Sequence, residues 1–272
     1  MPRQLGYTVA ALTGSGVAAT LLRRERTARR SAERVTAASL ETLLNAIDAN
    51  DHETGSHVRR VARYALTLAD AADLDETARL TVERVALFHD IGKIHEALFD
   101  IIHDQSKLTR EERIAIATHP QRGAKVLAPL SAFYPELAKG VLAHHERWDG
   151  SGYPRGLKGR RIPLAARVVA IADSFDAITH RRRYRVGRTD DEAADVIAAG
   201  RGTQFDPELT DLFLFPPVFQ HIQRDMRRSN MPRARGGDRR VGKVSPAPDV
   251  TFRWRGGAHA QHGQDGPRRT AR

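Results

Sequence analysis

The chain has 272 residues, 44 Lys+Arg against 33 Asp+Glu, a net charge of +11 and no cysteine. Its length suits one or two domains. The missing thiols exclude a disulfide framework, a cysteine nucleophile and thiolate-held zinc or iron–sulfur centres, so any metal must be held by nitrogen and oxygen.

The charge is segregated along the chain. Residues 1–34 carry seven arginines against two acids, residues 223–272 carry thirteen Lys/Arg against four acids, and the stretch between them is left at −3. A slightly acidic centre with basic ends is unlike a domain that neutralises a phosphate backbone, and no specific nucleic-acid binding is expected.

Residues 5–22 contain no charge and are followed by Arg23, Arg24, Arg26, Arg29 and Arg30, the pattern of a membrane segment with a positive flank. About 18 residues are just enough to span a bilayer. Gly6, Gly14, Gly16 and several hydroxyl residues weaken the apolar character, so a buried or surface helix is the competing reading. No cleavable export signal is evident. These features make 1–32 a candidate inner-membrane anchor with a basic flank, attached to an otherwise cytoplasmic protein.

Residues 33–222 read as one all-α domain of about seven helices. Leu40, Leu43, Leu44 and Ile47 recur at i, i+3, i+4, i+7, as do Val82, Val85, Ala86 and His89. Thr109 with Glu112 forms a capping-box pattern, and Asp206-Pro207-Glu208 places an N-cap before an N1 proline. Glycine and proline gather at 149–163, which predicts a loop between helices. Residues 223–272, rich in Arg, Gly and Pro, hold too few apolar residues to offset ordering entropy, and a disordered basic tail is expected.

Glu53, His57, His89, Asp90, His119, His144, His145 and Asp173 form a set of candidate ligands. Glu53 and His57 are i and i+4, on one helix face. His89 completes the apolar row of its helix, so its imidazole faces the core, where an unpaired polar group is costly. Asp90 beside it has two oxygens with which to bridge two ions. Asp173 lies within the apolar run Leu164–Ile178. The competing readings are ion pairs, Asp173 with Arg167 and Glu53 with Arg60. Several acids and imidazoles from separate helices suit hard or borderline divalent ions, Fe, Mn, Zn or Ni. Two such ions about 3.5–4 Å apart serve phosphodiester cleavage by activating a bridging hydroxide and neutralising phosphate oxygens.

His89-Asp90-Ile91-Gly92-Lys93 and His144-His145-Glu146-Arg147-Trp148-Asp149-Gly150-Ser151-Gly152-Tyr153-Pro154 strongly resemble the HD-GYP family, bacterial cyclic di-GMP phosphodiesterases of the HD superfamily. Asp51 to Val61, Ile162 to Arg167, Ala172 to Ala177, Arg182-Tyr184-Arg185 and Gly202 to Pro207 extend the match to about residues 36–215. The resemblance implies metal ligation by His57, His89, Asp90, His119, His144, His145 and Asp173, with Glu53 adding a position for a third ion. It implies contact of Lys93 with the scissile phosphate, a grip of Arg182 and Arg185 on the second phosphate or guanine, and a substrate wall of Tyr153 with Gly150 and Gly152. The product would be pGpG, or GMP if a third ion is bound.

Two departures stand out. The stretch after Lys93 lacks the family's proline and is longer, and Arg183 replaces a proline. No receiver, PAS or GAF pattern precedes the domain, which points to regulation through the N-terminal segment, the tail or a partner in trans, or to the chain being a fragment. The alternative functions are a slow or inactive nucleotide-binding signalling module of the same fold, or an HD phosphohydrolase for another nucleotide.

Overall fold

The computed structural model describes residues 23–230 except 26, 29–30, 33, 47, 50–51, 95–108 and 181–186, and the side chains of 52, 53, 94 and 228–230 also lie outside the described set. The expected membrane segment 5–22, most of the altered loop after Lys93, Arg182, Arg185 and most of the expected tail therefore fall outside it. Among the described residues no helix is long and apolar enough to cross a membrane.

Residues 39–233 form one compact unit. It is all-helical, as expected, and a single β-bridge between Arg201 and Phe205 is the only extended pairing among the described residues. Helical residues 39–46, with Leu40 and Leu44 buried, precede nine α-helices among the described residues. These are α1 (His52–Ala71), α2 (Glu76–Phe88), α3 (Arg110–Ile116), α4 (His119–Leu127), α5 (Leu137–Ala143), α6 (Leu164–Thr179), α7 (Asp190–Ala199), α8 (Pro207–Leu214) and α9 (Pro216–Asn230). Three 3₁₀ turns, Ile91–Ile94, Ala128–Leu130 and Gly159–Arg161, lie between them. The sequence pattern suggests about seven helices because α3 and α5 have seven residues each, two turns that give periodicity little to register.

Helix α6 is the central element. Ala165, Ala166, Val168, Val169, Ile171, Ala172 and Phe175 are all buried, so it is apolar on nearly every side and packs against α1, α2, α5, α7 and α8. Helix α1 meets it with Val58, Val61, Ala62, Ala65 and Leu68. Edge-to-face contacts of Phe175 with Tyr64, Phe213 and Phe219 tie α6 to α1, α8 and α9. Tyr64, Phe175 and Phe213 are fully buried, each contributing roughly 1.5–3 kcal/mol through lost apolar exposure. The site is thus built upon the most tightly held part of the unit.

The capping signals operate as read. Thr109 and Glu112 satisfy each other's backbone N–H at the start of α3, and Asp206 accepts from Glu208 and Leu209 N–H at the start of α8. Thr189 with Glu192 forms a second capping box, opening α7. Helix α9 runs to Asn230, beyond the expected domain end at 222. Its buried Ile222 and Met226 are one turn apart on a helix otherwise rich in charge, a stripe too thin to mark a core helix in the sequence.

Candidate metal centre

Three histidines are set by one local device. His89 follows the end of α2, His119 opens α4 and His144 follows α5. Their Nδ1 atoms face the carbonyl oxygens of Ala86 (2.7 Å), Ile116 (2.7 Å) and Val141 (2.6 Å), each three residues earlier. A ring nitrogen facing a carbonyl carries a proton, so in the neutral form of each ring Nε2 is the lone pair.

Those lone pairs converge. His119 Nε2 and His144 Nε2 stand 3.1 Å apart, two acceptors that repel unless a cation or a proton lies between them. Among the described residues, His89 Nε2 and Asp90 Oδ1 are buried without a hydrogen-bond partner. Leaving such a group unsatisfied costs about 1–3 kcal/mol. The donor set, imidazole nitrogen and carboxylate oxygen aimed into one space, fits divalent cations.

Asp90 lies between two ligand groups. Its Oδ2 is 3.5 Å from His89 Nε2 and 3.8 Å from His57 Nε2, while its Oδ1 is 3.3 Å from His119 Nε2. The ligand atoms of His57, His89 and Asp90 all lie within 4.8 Å of one another, as do those of His119, His144 and His145. Asp173 joins the first group, its Oδ1 3.2 Å from His57 Nε2 and 3.8 Å from His89 Nε2. The seven expected His and Asp ligands are thus brought together from five helices and their ends. Glu53 lies on α1 one turn before His57, and its side chain is among those not described.

The electrostatics match a ligand role. Burial, reinforced by neighbouring imidazoles, holds His144 well below the usual histidine range and brings His145 down to about 4, so both are neutral at neutral pH. Burial opposes charge on His57 too, but Asp173 and Asp176 beside it override burial and raise it to about 9. Asp90 remains well below the usual carboxylate range despite burial, held there by Lys93, His89 and His119.

Behind His57 stands an arrangement that sequence reasoning missed. Asp176 accepts from His57 Nδ1 at 2.7 Å and from the Arg60 fork at 2.7 and 2.9 Å, and His180 Nδ1 lies 3.1 Å away. A carboxylate on Nδ1 fixes the ring and directs Nε2 to the ligand cluster. Arg60 is therefore committed to Asp176, and Arg167 pairs with Asp206 and the Ile162 carbonyl. The competing pair of Asp173 with Arg167 is therefore not formed, while the competing pair of Glu53 with Arg60 falls on a side chain outside the described set. The available signal was a matched spacing: Arg60 follows His57 by three residues on α1, and Asp176 follows Asp173 by three on α6.

Lys93 sits on the first 3₁₀ turn with Nζ 2.7 Å from Asp90 Oδ2. Gly92 beside it admits no side chain, since a Cβ would lie 2.1 Å from the His119 carbonyl. Tyr153 stacks on His145, ring centres 4.9 Å apart and planes 26° off parallel. A cavity of about 370 Å³ runs from His144, His145 and Asp173 past Tyr153 to Ser174 and Gln204.

The loop at its rim is built around a second overlooked acid. Buried Glu146 accepts from the backbone N–H of Arg155 (2.7 Å) and Leu157 (2.9 Å), pinning the returning strand of the loop. Partly exposed Asp149 accepts from the Ser151 hydroxyl and N–H, contacts that with Arg147 hold its carboxyl at about 2. Gly150 adopts φ +87°, and a Cβ on Gly152 would lie 2.3 Å from the Arg147 nitrogen, so the glycines are required by more than an ordinary turn.

The sequence pattern of the HD domain matches residues 41–209, more than half of the chain. The chain belongs to the HD domain family. The family read from the motifs is borne out by the relatives of this HD domain chain. It is 38% identical over 174 residues to the 3′3′-cGAMP-specific phosphodiesterase 2 of Vibrio cholerae, covering 63% of this chain and 33% of that one. It is 39% identical over 178 residues to the cyclic di-GMP phosphodiesterase response regulator RpfG of Xanthomonas campestris, covering 65% and 47%. It is 38% identical over 177 residues to the cyclic di-GMP phosphodiesterase of Thermotoga maritima, covering 64% and 48%. The HD domain chain thus spans a third to about half the length of these curated relatives. The crystal structure of the PgpH HD domain of L. monocytogenes with cyclic-di-AMP is similar in fold, with a TM-score of 0.50, 17% identity, and coverage of 71% of this chain and 98% of that one.

Proposed function

We propose that the chain is a metal-dependent phosphodiesterase that opens cyclic di-GMP to pGpG and carries it on to GMP. The observation that carries this reading is the convergence of bare Nε2 lone pairs on the two oxygens of Asp90, each oxygen facing a separate histidine group. His57, His89, Asp90 and Asp173 would hold one ion, His119, His144 and His145 the other, with Asp90 shared. Divalent Fe or Mn, or Zn or Ni, would supply Lewis-acid activation of water and neutralise phosphate charge. Glu53 is assigned to a third position.

The chain's own groups do the rest. Lys93 holds a cation at the mouth of the cluster, where its ammonium now pairs with Asp90 and would turn to the scissile phosphate. Tyr153 offers a ring face, partly exposed, against which a base can stack. Arg182 and Arg185 are assigned to the second phosphate or guanine through their bidentate forks. Relatives named for cyclic di-GMP support this substrate, and those named for 3′3′-cGAMP support that dinucleotide as a second one. The catalytic domain is assigned to the cytoplasm, where cyclic dinucleotides act as messengers, with 5–22 as its anchor.

Chromatography of products after incubation with each dinucleotide tests the proposal. Linear pGpG and then GMP are expected from cyclic di-GMP. No cleavage of either dinucleotide by Mn²⁺-loaded protein refutes it.

A further inference from the structure

The cavity that begins at the metal ligands ends at a residue with no part in the reading above. Gln204 lines it together with Ser174, Tyr153 and His145. The backbone there is fixed on both sides: Gln204 N donates to Gly200 O at 2.9 Å, and Gln204 O accepts from Trp148 N at 3.1 Å. Thr203 O likewise accepts from Asp149 N at 2.8 Å, so the turn carrying Gln204 is clipped to the loop carrying Tyr153. Phe205 is buried directly behind it, and Asp206 caps α8.

Its side chain is held much less. Among the described residues the only hydrogen-bond partner of the amide is Ser174 Oγ at 3.5 Å, the outer limit of such a contact. A half-buried amide on a rigid frame, with donor and acceptor capacity unspent and facing a cavity, is equipped to bind a ligand that presents adjacent acceptor and donor groups. Purine edges do so: adenine offers N6–H₂ beside N7 or N1, and guanine offers N1–H beside O6. Tyr153 supplies a flat ring face in the same cavity and His144 and Asp173 the phosphate end, so the cavity holds the elements for a whole nucleotide.

We propose that Gln204 is a specificity residue that reads the edge of a purine base of the bound dinucleotide. The inference rests on the phosphodiesterase reading and deepens it. Turning the amide by half a rotation exchanges its donor and acceptor, so Gln204 matches guanine and adenine alike and admits both cyclic di-GMP and 3′3′-cGAMP. Glutamate at this position only accepts, and it loses that tolerance.

The test compares wild type, Gln204→Leu and Gln204→Glu for kcat/KM on cyclic di-GMP and on 3′3′-cGAMP, with Mn²⁺ content measured on each sample. Gln204→Leu is expected to raise KM about tenfold for both dinucleotides at unchanged metal content. Gln204→Glu is expected to shift the ratio of the two kcat/KM values by about tenfold. A shift toward cyclic di-GMP places the contact on the Watson–Crick edge, where guanine donates twice, and a shift toward 3′3′-cGAMP places it on the Hoogsteen edge. A ratio in Gln204→Glu within twofold of wild type overturns the proposal. If wild type cleaves neither dinucleotide, the phosphodiesterase reading fails, and the same two comparisons made with dissociation constants decide the role of Gln204 separately.

Discussion

The floor and the rim of the cleft are assembled on opposite principles. The floor is made from helix ends: His89, His119 and His144 each give Nδ1 to a carbonyl three residues earlier, so local backbone geometry alone sends Nε2 inward. The rim is made from a loop with little regular structure, which buried Glu146 holds shut by gathering two backbone N–H groups eight or more residues further on. The floor leaves its polar atoms unsatisfied, whereas the rim satisfies them. Unspent acceptors mark where a ligand is expected, and spent ones mark where shape is being kept.

Asp176 and Asp173 repeat this contrast within one turn of α6. Asp173 faces the cavity, while Asp176 is 2% exposed and saturated by Arg60, His57 and His180. Removing Asp176 should therefore have the largest effect. Asp176→Ala leaves Arg60 uncompensated and costs roughly 3–5 kcal/mol of stability, read as a fall in the denaturation midpoint. It also frees the His57 ring and should weaken metal affinity by about 10–100-fold. Asp176→Asn keeps the volume and one acceptor oxygen but not the charge that compensates Arg60, so both variants are expected to lose stability and metal affinity, the alanine variant more of each. Unchanged metal affinity in both would break the contrast.

A smaller effect is expected at the rim. Glu146→Ala removes two charge-assisted contacts of roughly 1.5–3 kcal/mol each. The expected outcome is faster proteolysis within 147–160 and a raised KM, at unchanged metal content. Loss of metal in this variant would show that floor and rim are not independent.

Much of the floor could be read from the sequence. The His89 row, the paired His144-His145 and Asp173 in an apolar helix all stand where the pattern demands a core face, so polar residues there announce themselves. Asp176 and Arg60 did not, because Asp176 lies one turn from the end of α6, where polar residues are ordinary, and Arg60 reads as part of the polar face of α1, until packing joins positions 116 apart in the chain. Glu146 reads as one more charge in a polar loop, and its burial arises only when the loop folds back over it. Gln204 lies within the Gly202 to Pro207 match but drew no role from the sequence, since its position in the cavity depends on two loops clipped together through backbone bonds. Local capping at Thr109 and Asp206 was legible because it is decided within four residues.

The central claim, that the converging imidazoles and carboxylates are divalent-metal donors, is tested most directly by calorimetric titration of metal-stripped protein with Mn²⁺, repeated in buffers of different ionisation enthalpy. His57 is raised to about 9, so it is protonated at pH 7 and must release its proton when its Nε2 takes an ion. The same raised value means that His57 stabilises the metal-free fold at acidic and neutral pH, and that this contribution fades as pH rises through about 9. The account predicts at least two ions bound per chain, with proton release at pH 7 that diminishes above pH 9. Binding of less than one ion per chain, or uptake without proton release at pH 7, would contradict it.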